Sequence, residues 1–184
     1  MREIVTERLV LRLLQPEDVP AFAAYRSDPD VALYQSWDTS YSAADGERLV
    51  AGQQGVDFGD PGPWVQVAAV DHTTGELCGD CAVRVATDQP RTAEVGVTFA
   101  PAKQGTGRAT EALGAVVTRL FEQHDIHRVY AQADDRNVAV QRLLERLGFR
   151  CEARLVEADW FKDEWTTLRV YAILRREWTA RTRA

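Results

Sequence analysis

No stretch of the chain approaches the ~18 consecutive apolar residues that a membrane-crossing helix needs, although 45% of its 184 residues are hydrophobic. Its opening, Met1-Arg2-Glu3-Ile4-Val5-Thr6-Glu7-Arg8, has two acids and no apolar segment, so it does not read as a secretory leader. A basic excess is also missing. The 22 Lys and Arg are outnumbered by 28 Asp and Glu, for a formal charge of −6. A general binder of nucleic acid or of an anionic membrane needs a basic surface, so neither partner is expected. The balance mildly favours a cationic substrate, and a cytoplasmic location is expected. Basic residues gather only near the end, at Arg175, Arg176, Arg181 and Arg183, where a solvated, flexible tail over 179–184 is expected to follow the single domain of 1–178.

Cysteine is scarce as well, with three residues. Cys78 and Cys81 have Cys-x-x-Cys spacing, which in other contexts marks a redox or zinc site. The segment from Glu76 to Val85 reads as a strand, on which residues three apart point to opposite faces. The two thiols are therefore expected to diverge. No second pair exists, and only His72, His124 and His127 could complete a metal site. No metal is expected. The thiols, Cys151 included, read as small, buried and unpaired groups in a reducing cytoplasm.

Internal repeats and low-complexity runs are also lacking. What is present is a change of periodicity along the chain. Thr6 to Leu14 alternates as a strand, and Pro16-Glu17-Asp18 opens a helix that Asp28-Pro29 ends. A polar, aromatic connection from Tyr34 to Tyr41 leads to a helix over about 43–54, then to a turn region rich in Gly, Pro and Asp. Trp64–Val70, Leu77–Val85 and Ala93–Phe99 read as an antiparallel meander. The long helix from Gly107 to Glu122 has one apolar stripe: Ala109, Ala112, Leu113, Val116, Val117, Leu120 and Phe121. A strand at Arg128–Ala133 follows, then a helix over Val138–Leu147 with Asn137 as N-cap and Gly148 as stop. Val156–Trp160 and Thr166–Leu174 form a closing hairpin. The plan is α+β: one mixed, mostly antiparallel sheet of about six to seven strands with about four helices.

The chemistry concentrates where the strand Ala93–Phe99 feeds into Gln104-Gly105-Thr106-Gly107 and the long helix. A helix N-terminus presents free N–H groups and the positive end of its dipole. Two glycines leave those amides open to a phosphate, and Lys103 and Arg108 add charge. The Walker lysine is absent, and Thr110 stands where a dinucleotide fold needs a third glycine. The loop alone therefore supports an anion site, or simply a tight turn.

Gln104-Gly105-Thr106-Gly107-Arg108-Ala109 resembles the Gln/Arg-x-x-Gly-x-Gly/Ala motif of the GNAT acetyltransferases. Thr6-Glu7-Arg8-Leu9-Val10-Leu11-Arg12, Asp28-Pro29-Asp30-Val31, Glu94-Val95-Gly96-Val97, Asn137 with Leu147-Gly148-Phe149, and Tyr171-Ala172-Ile173-Leu174 with Trp178 are similar, in order, to segments of the RimJ/RimL-like branch. The resemblance implies acetyl-CoA as cosubstrate and splayed central strands that form the acyl-CoA cleft. The pantetheine would pair with the strand at Val97, Thr98 and Phe99, and the pyrophosphate would sit on Gln104, Gly105, Thr106, Gly107, Arg108 and Ala109. Asn137 would face the thiol end. Glu94 would be the catalytic base, acting through water, with a strand amide as oxyanion donor. The acceptor would be an amine, on a protein N-terminus or a small molecule, and a homodimer is allowed.

Tyr34, Trp37 and Asp38, with Trp64, Trp160 and Phe161, are candidates to line the acceptor pocket, Trp37 foremost. The chain departs from the pattern at the general acid: Val140 stands where the branch has Ser, and Leu144 where other branches have Tyr. Aminoglycoside acetylation, and a CoA-binding sensor that has lost catalysis, remain the rival readings.

Overall fold

In the computed structural model, which describes residues 2–182, the alternation of the first leucines becomes a strand with Leu9 and Leu11 fully buried. β1 (Ile4–Val5), β2 (Leu9–Leu13), β3 (Val65–Asp71), β4 (Leu77–Val85) and β5 (Thr92–Phe99) pair antiparallel in sequence order. β6 (Arg128–Asp134) then joins β5 in parallel, as a crossover through a helix requires. β7 (Arg150–Phe161) and β8 (Glu164–Leu174) form the closing hairpin, but β8 rather than β7 lies against β6. The sheet has eight strands in the order β1-β2-β3-β4-β5-β6-β8-β7.

Helices cover both faces. α1 (Val19–Arg26) and α3 (Ala43–Gly52) place Val19, Phe22, Tyr25 and Val50 against Ala68 and Val70 of β3. α4 (Arg108–Gln123) buries Ala112, Leu113, Val116, Val117, Leu120 and Phe121 on the other face, the stripe expected from its periodicity, with Ala109 half-buried. Every residue of β3 is buried as a result, and its apolar run, Val-Gln-Val-Ala-Ala-Val, is that of a strand covered on both sides.

The expectations of six to seven strands and about four helices were both low. β1 is an added two-residue strand, so part of the expected Thr6–Leu14 strand is the turn from β1 into β2. α2 (Pro29–Ala32) is a short helix that Asp28 caps through the amides of Asp30 and Val31. β7 begins at Arg150, well before the expected Val156, because most of its side chains are exposed and leave no apolar alternation to read. α6 (Arg175–Thr182) occupies the start of the expected tail and buries Trp178; Arg183 and Ala184 lie outside the described residues.

Cys151 is exposed rather than buried, and the expected divergence of Cys78 and Cys81 fails for a local reason. Leu77 pairs with Val70 and Gly79 with Ala69, which leaves Cys78 as the extra residue of a bulge. The bulge resets the alternation, so Cys78 and Cys81 lie in the same apolar cluster. Both are free thiols, and burial pushes both away from ionisation. Among the described residues, no group of three or more His, Cys, Asp or Glu side chains is arranged to hold a metal. No helix among them is long and apolar enough to cross a membrane.

Candidate active site at the strand fork

β5 and β6 are paired only at Thr92–Arg128, Ala93–Val129 and Glu94–Tyr130. Beyond Glu94 they separate. Each keeps its outer partner: β5 stays on β4 as far as Phe99, and β6 stays on β8 as far as Asp134. Their inner edges therefore face one another across a gap, with main-chain N–H and C=O groups free to pair with something other than a strand. Gly79 of β4 is required here. A Cβ at that position would come within 2.4 Å of the Thr98 carbonyl oxygen and 2.6 Å of the Phe99 ring.

Two cavities fill the fork. One, of about 670 Å³, runs along Val97, Thr98 and Phe99 to Gln104, Gly105, Gly107, Ala109 and Thr110, with α5 (Val138–Arg146) as its opposite wall. Gly105 and Gly107 have φ of 70° and 81°, left-handed values that favour glycine. Gly107 is the N-cap of α4 and has no side chain to cap it. Asp28, Ser42 and Asn137 do cap their helices, so α4 alone of these begins with its first amides unspent. Behind the loop, Glu111 accepts from Thr6, from the Arg8 amide and from Arg8 Nε at 2.7 Å, and Arg8 donates to the Thr106 carbonyl at 2.8 Å. That lattice fixes the loop to the start of the sheet.

The second cavity, of about 510 Å³, opens between Glu94, Gly96 and Val97 on one side and Ala131 to Asp134 on the other, closed by Tyr34, Asp159, Phe161 and Thr166. Glu94 stands on the last paired rung, where the strands part. It is buried, and its neighbours across both strands bind it: Arg84 in an ion pair, the Tyr130 hydroxyl at 3.1 Å, and Gln132 at 3.4 Å. Burial, then the charge of Glu94, keeps the Tyr130 phenol protonated. Asp134 is held below the usual carboxylate range mainly by hydrogen bonds from Arg136.

The two cavities differ in charge. Glu94, Asp134 and Asp159 line the second, the first two paired with Arg84 and Arg136, and among the described residues no Lys or Arg lines it. The first has Lys103, Arg142 and Arg146 against Asp30. Lys103 is paired with Glu76 at 2.8 Å, while Arg142 and Arg146 form no side-chain ion pair among the described residues. Arg142 and Arg146 of α5 and the acids Asp134 and Asp159 escape sequence reading because the cavities they line are assembled from separate elements. One signal was available: Ala139, Arg142, Leu143 and Arg146 share a helical face with Asn137 at its head.

The fork gathers most of the residues expected at a site. Glu94, Val97, Thr98, Phe99, Gln104, Gly105, Gly107, Ala109, Asn137 and Tyr34 line one or both cavities. Asn137 also caps α5 through its side-chain oxygen, 3.2 Å from the Val140 amide. Two side chains turn away: Arg108 pairs with Asp71 at 3.0 Å and Thr106 donates to the Lys103 carbonyl at 2.7 Å, so these residues can offer only main-chain amides. Trp37 and Asp38 also lie elsewhere. Trp37 donates to the Arg26 carbonyl, and its ring stacks on the Arg26 guanidinium at 3.8 Å. Asp38 accepts from Ser40. With Trp160, they border a separate shallow groove. Trp64 packs near Arg84, at 5.0 Å, and lines neither cavity.

Residues 8–150 match the family described as the acetyltransferase (GNAT) domain. The uncharacterized N-acetyltransferase p20 of Bacillus licheniformis is 25% identical over 178 residues, 97% of this chain and 99% of that protein. A GNAT-family acetyltransferase from Bacillus anthracis superposes with a TM-score of 0.84 at 25% identity, covering 96% of this chain and 100% of that one. The fold is also that of the spermidine N-acetyltransferase from Vibrio cholerae, solved in complex with CoA and spermine, with a TM-score of 0.81 at 20% identity over 95% of this chain and 99% of that one.

Proposed function

Because the chain belongs to the GNAT family and is an acyl-CoA-dependent N-acetyltransferase, we propose that acetyl-CoA lies along the cationic cavity and that a primary amine enters the acidic one. The amine attacks the thioester directly where the two cavities meet. The observation that supports this reading most is the division of charge at the fork: phosphates are matched by Arg142, Arg146 and the uncapped start of α4, an ammonium by Glu94, Asp134 and Asp159. The free edge of β5 at Val97 to Phe99 suits the amides of a pantetheine arm. Glu94 takes the ammonium proton through water, and a β5 amide stabilises the oxyanion. The ordered motifs favour the RimJ/RimL-like branch, with a protein N-terminus or a small-molecule amine as acceptor.

Two measurements test this. Calorimetric titration with acetyl-CoA is expected to show binding. Thiol release is then followed with a peptide bearing a free amino terminus, with spermine and with kanamycin, and at least one amine is expected to turn over. Binding with no release from any amine leaves the sensor reading instead. The Gly105→Asp variant probes the loop. A Cβ there meets nothing within 4 Å, and Asp tolerates the left-handed φ. Its carboxylate is expected to weaken acetyl-CoA at least ~10-fold with the fold intact, as judged by circular dichroism, from like-charge repulsion of over ~1.4 kcal/mol. Unchanged affinity would refute the loop as the phosphate site.

A further inference from the structure

Five residues line both cavities: Tyr34, Gln35, Val97, Asn137 and Val140. On the reading above, which this inference rests on, the thioester sulfur and the attacking amine meet only within that set. When the C–N bond forms and the C–S bond breaks, the electron pair goes to sulfur, and a proton delivered there eases departure. Val97 and Val140 have no proton to give. The carboxamides of Gln35 and Asn137 donate hydrogen bonds but do not ionise in water. Leu144, on the buried side of α5, has none either.

Tyr34 remains, and its hydroxyl is unspent. Tyr25, Tyr130 and Tyr171 each donate to a carboxylate, of Asp80, Glu94 and Glu145 respectively. The Tyr34 hydroxyl has no hydrogen-bond partner among the described residues. Its ring centroid lies 5.8 Å from the Arg136 guanidinium, which Asp134 and Glu164 hold in place. Tyr34 sits just past α2, whose last turn is closed by Leu33 and Gln35 donating to Pro29 and Ala32. Lys162, from the β7–β8 turn, donates to the Ala32 carbonyl at 2.6 Å and secures that turn from the far side of the acidic cavity.

We propose that Tyr34 is the proton donor to the departing thiolate of CoA. The S–H bond forms as the Tyr34 O–H breaks. The nitrogen sheds two protons to water on the way from ammonium to amide, the first through Glu94; one replaces the proton that Tyr34 gave up and the other is released to solvent.

The test is Tyr34→Phe, which keeps the ring. With the amine the wild type acetylates fastest, kcat is expected to fall about 100-fold, the lower end of a general acid's contribution. KM for both substrates and the acetyl-CoA dissociation constant should stay within about twofold. A second variant has 3,5-difluorotyrosine at position 34, with a more acidic phenol and nearly the same shape. It should move the alkaline fall of kcat to lower pH, even if Tyr34→Phe folds poorly. A Tyr34→Phe enzyme with wild-type kcat, a loss confined to the amine KM, or an alkaline limb unmoved by fluorination overturns the proposal. Those failures occur in a wild type that turns over. If the underlying reading of the fork is wrong, the wild type itself binds no acetyl-CoA and releases no CoA.

Discussion

Glu94 occupies the last rung on which β5 and β6 still pair. Its Glu-x-Gly setting marks it in the sequence, and the parting of the strands gives that position its place in the cavity. One carboxylate then serves the sheet and the cavity together, bound by Arg84, Tyr130 and Gln132 and still lining the acidic space. Glu94→Gln keeps the shape and removes the charge. At pH ~7 an aliphatic ammonium, with a pKa of ~10.4, is almost wholly protonated, so on the proposed role of Glu94 as base its loss is expected to lower kcat about 100-fold. The deficit should shrink as pH rises toward the amine's own ionisation, because solvent then supplies free amine. A loss equal at every pH would make Glu94 a positioning residue for the acceptor. The neighbouring substrate residues were less legible. Tyr34 lies at the fork, but Trp37 is taken up by Arg26 of α1, a buried cation whose pairing with Asp80 of β4 no local pattern reveals.

Among the elements, α4 was the most legible, because its stripe and its glycine-rich start are both local in sequence. What fastens that start is not local. Asp71, at the end of β3, accepts from the amides of Thr73 and Thr74 in its own turn and from Arg108 in the first turn of α4. Those bonds, the two amides first and Arg108 after them, lower its carboxyl to about 2. An unfolded Asp ionises near ~3.9. A depressed folded value means stabilisation that is fully present above ~3.9 and lost as pH falls toward 2. Asp71→Asn is therefore expected to lower the urea midpoint at pH 7, with the gap from wild type narrowing below pH ~4. A gap as wide at pH 3 as at pH 7 would show that the ion pair contributes nothing there. What sequence leaves out here shows no period. α2, with four residues, is too short to show one, and the part of β7 before Val156 is too exposed to show an alternation.

At the scale of the whole molecule, the meander and the helical crossover could be read from sequence, and with them the single parallel contact. That this contact would be only three rungs long could not, since the length of a pairing depends on strands far apart in the chain. The sheet is thus two antiparallel sections, β1 to β5 and β6 to β8, joined at one short seam and by α4 and α5 across it. A molecule lying in the fork touches both sections and supplies pairing where the protein has none, so acetyl-CoA bound as proposed is expected to act on the stability of the entire fold. At a hundred times its dissociation constant, a ligand specific for the folded state stabilises it by ≈2.7 kcal/mol. At ~2–4 °C per kcal/mol for a domain of this size, that is a rise in Tm of roughly 5–10 °C. The same linkage predicts where the effect is seen. In hydrogen exchange, the amides of Val97 and Phe99 should slow on binding far more than those of β3, which is already paired on both edges. A Tm rise with uniform protection across the sheet would place the ligand somewhere other than the seam. A rise with protection confined to β5, β6 and the start of α4 would show acetyl-CoA completing the sheet where β5 and β6 part.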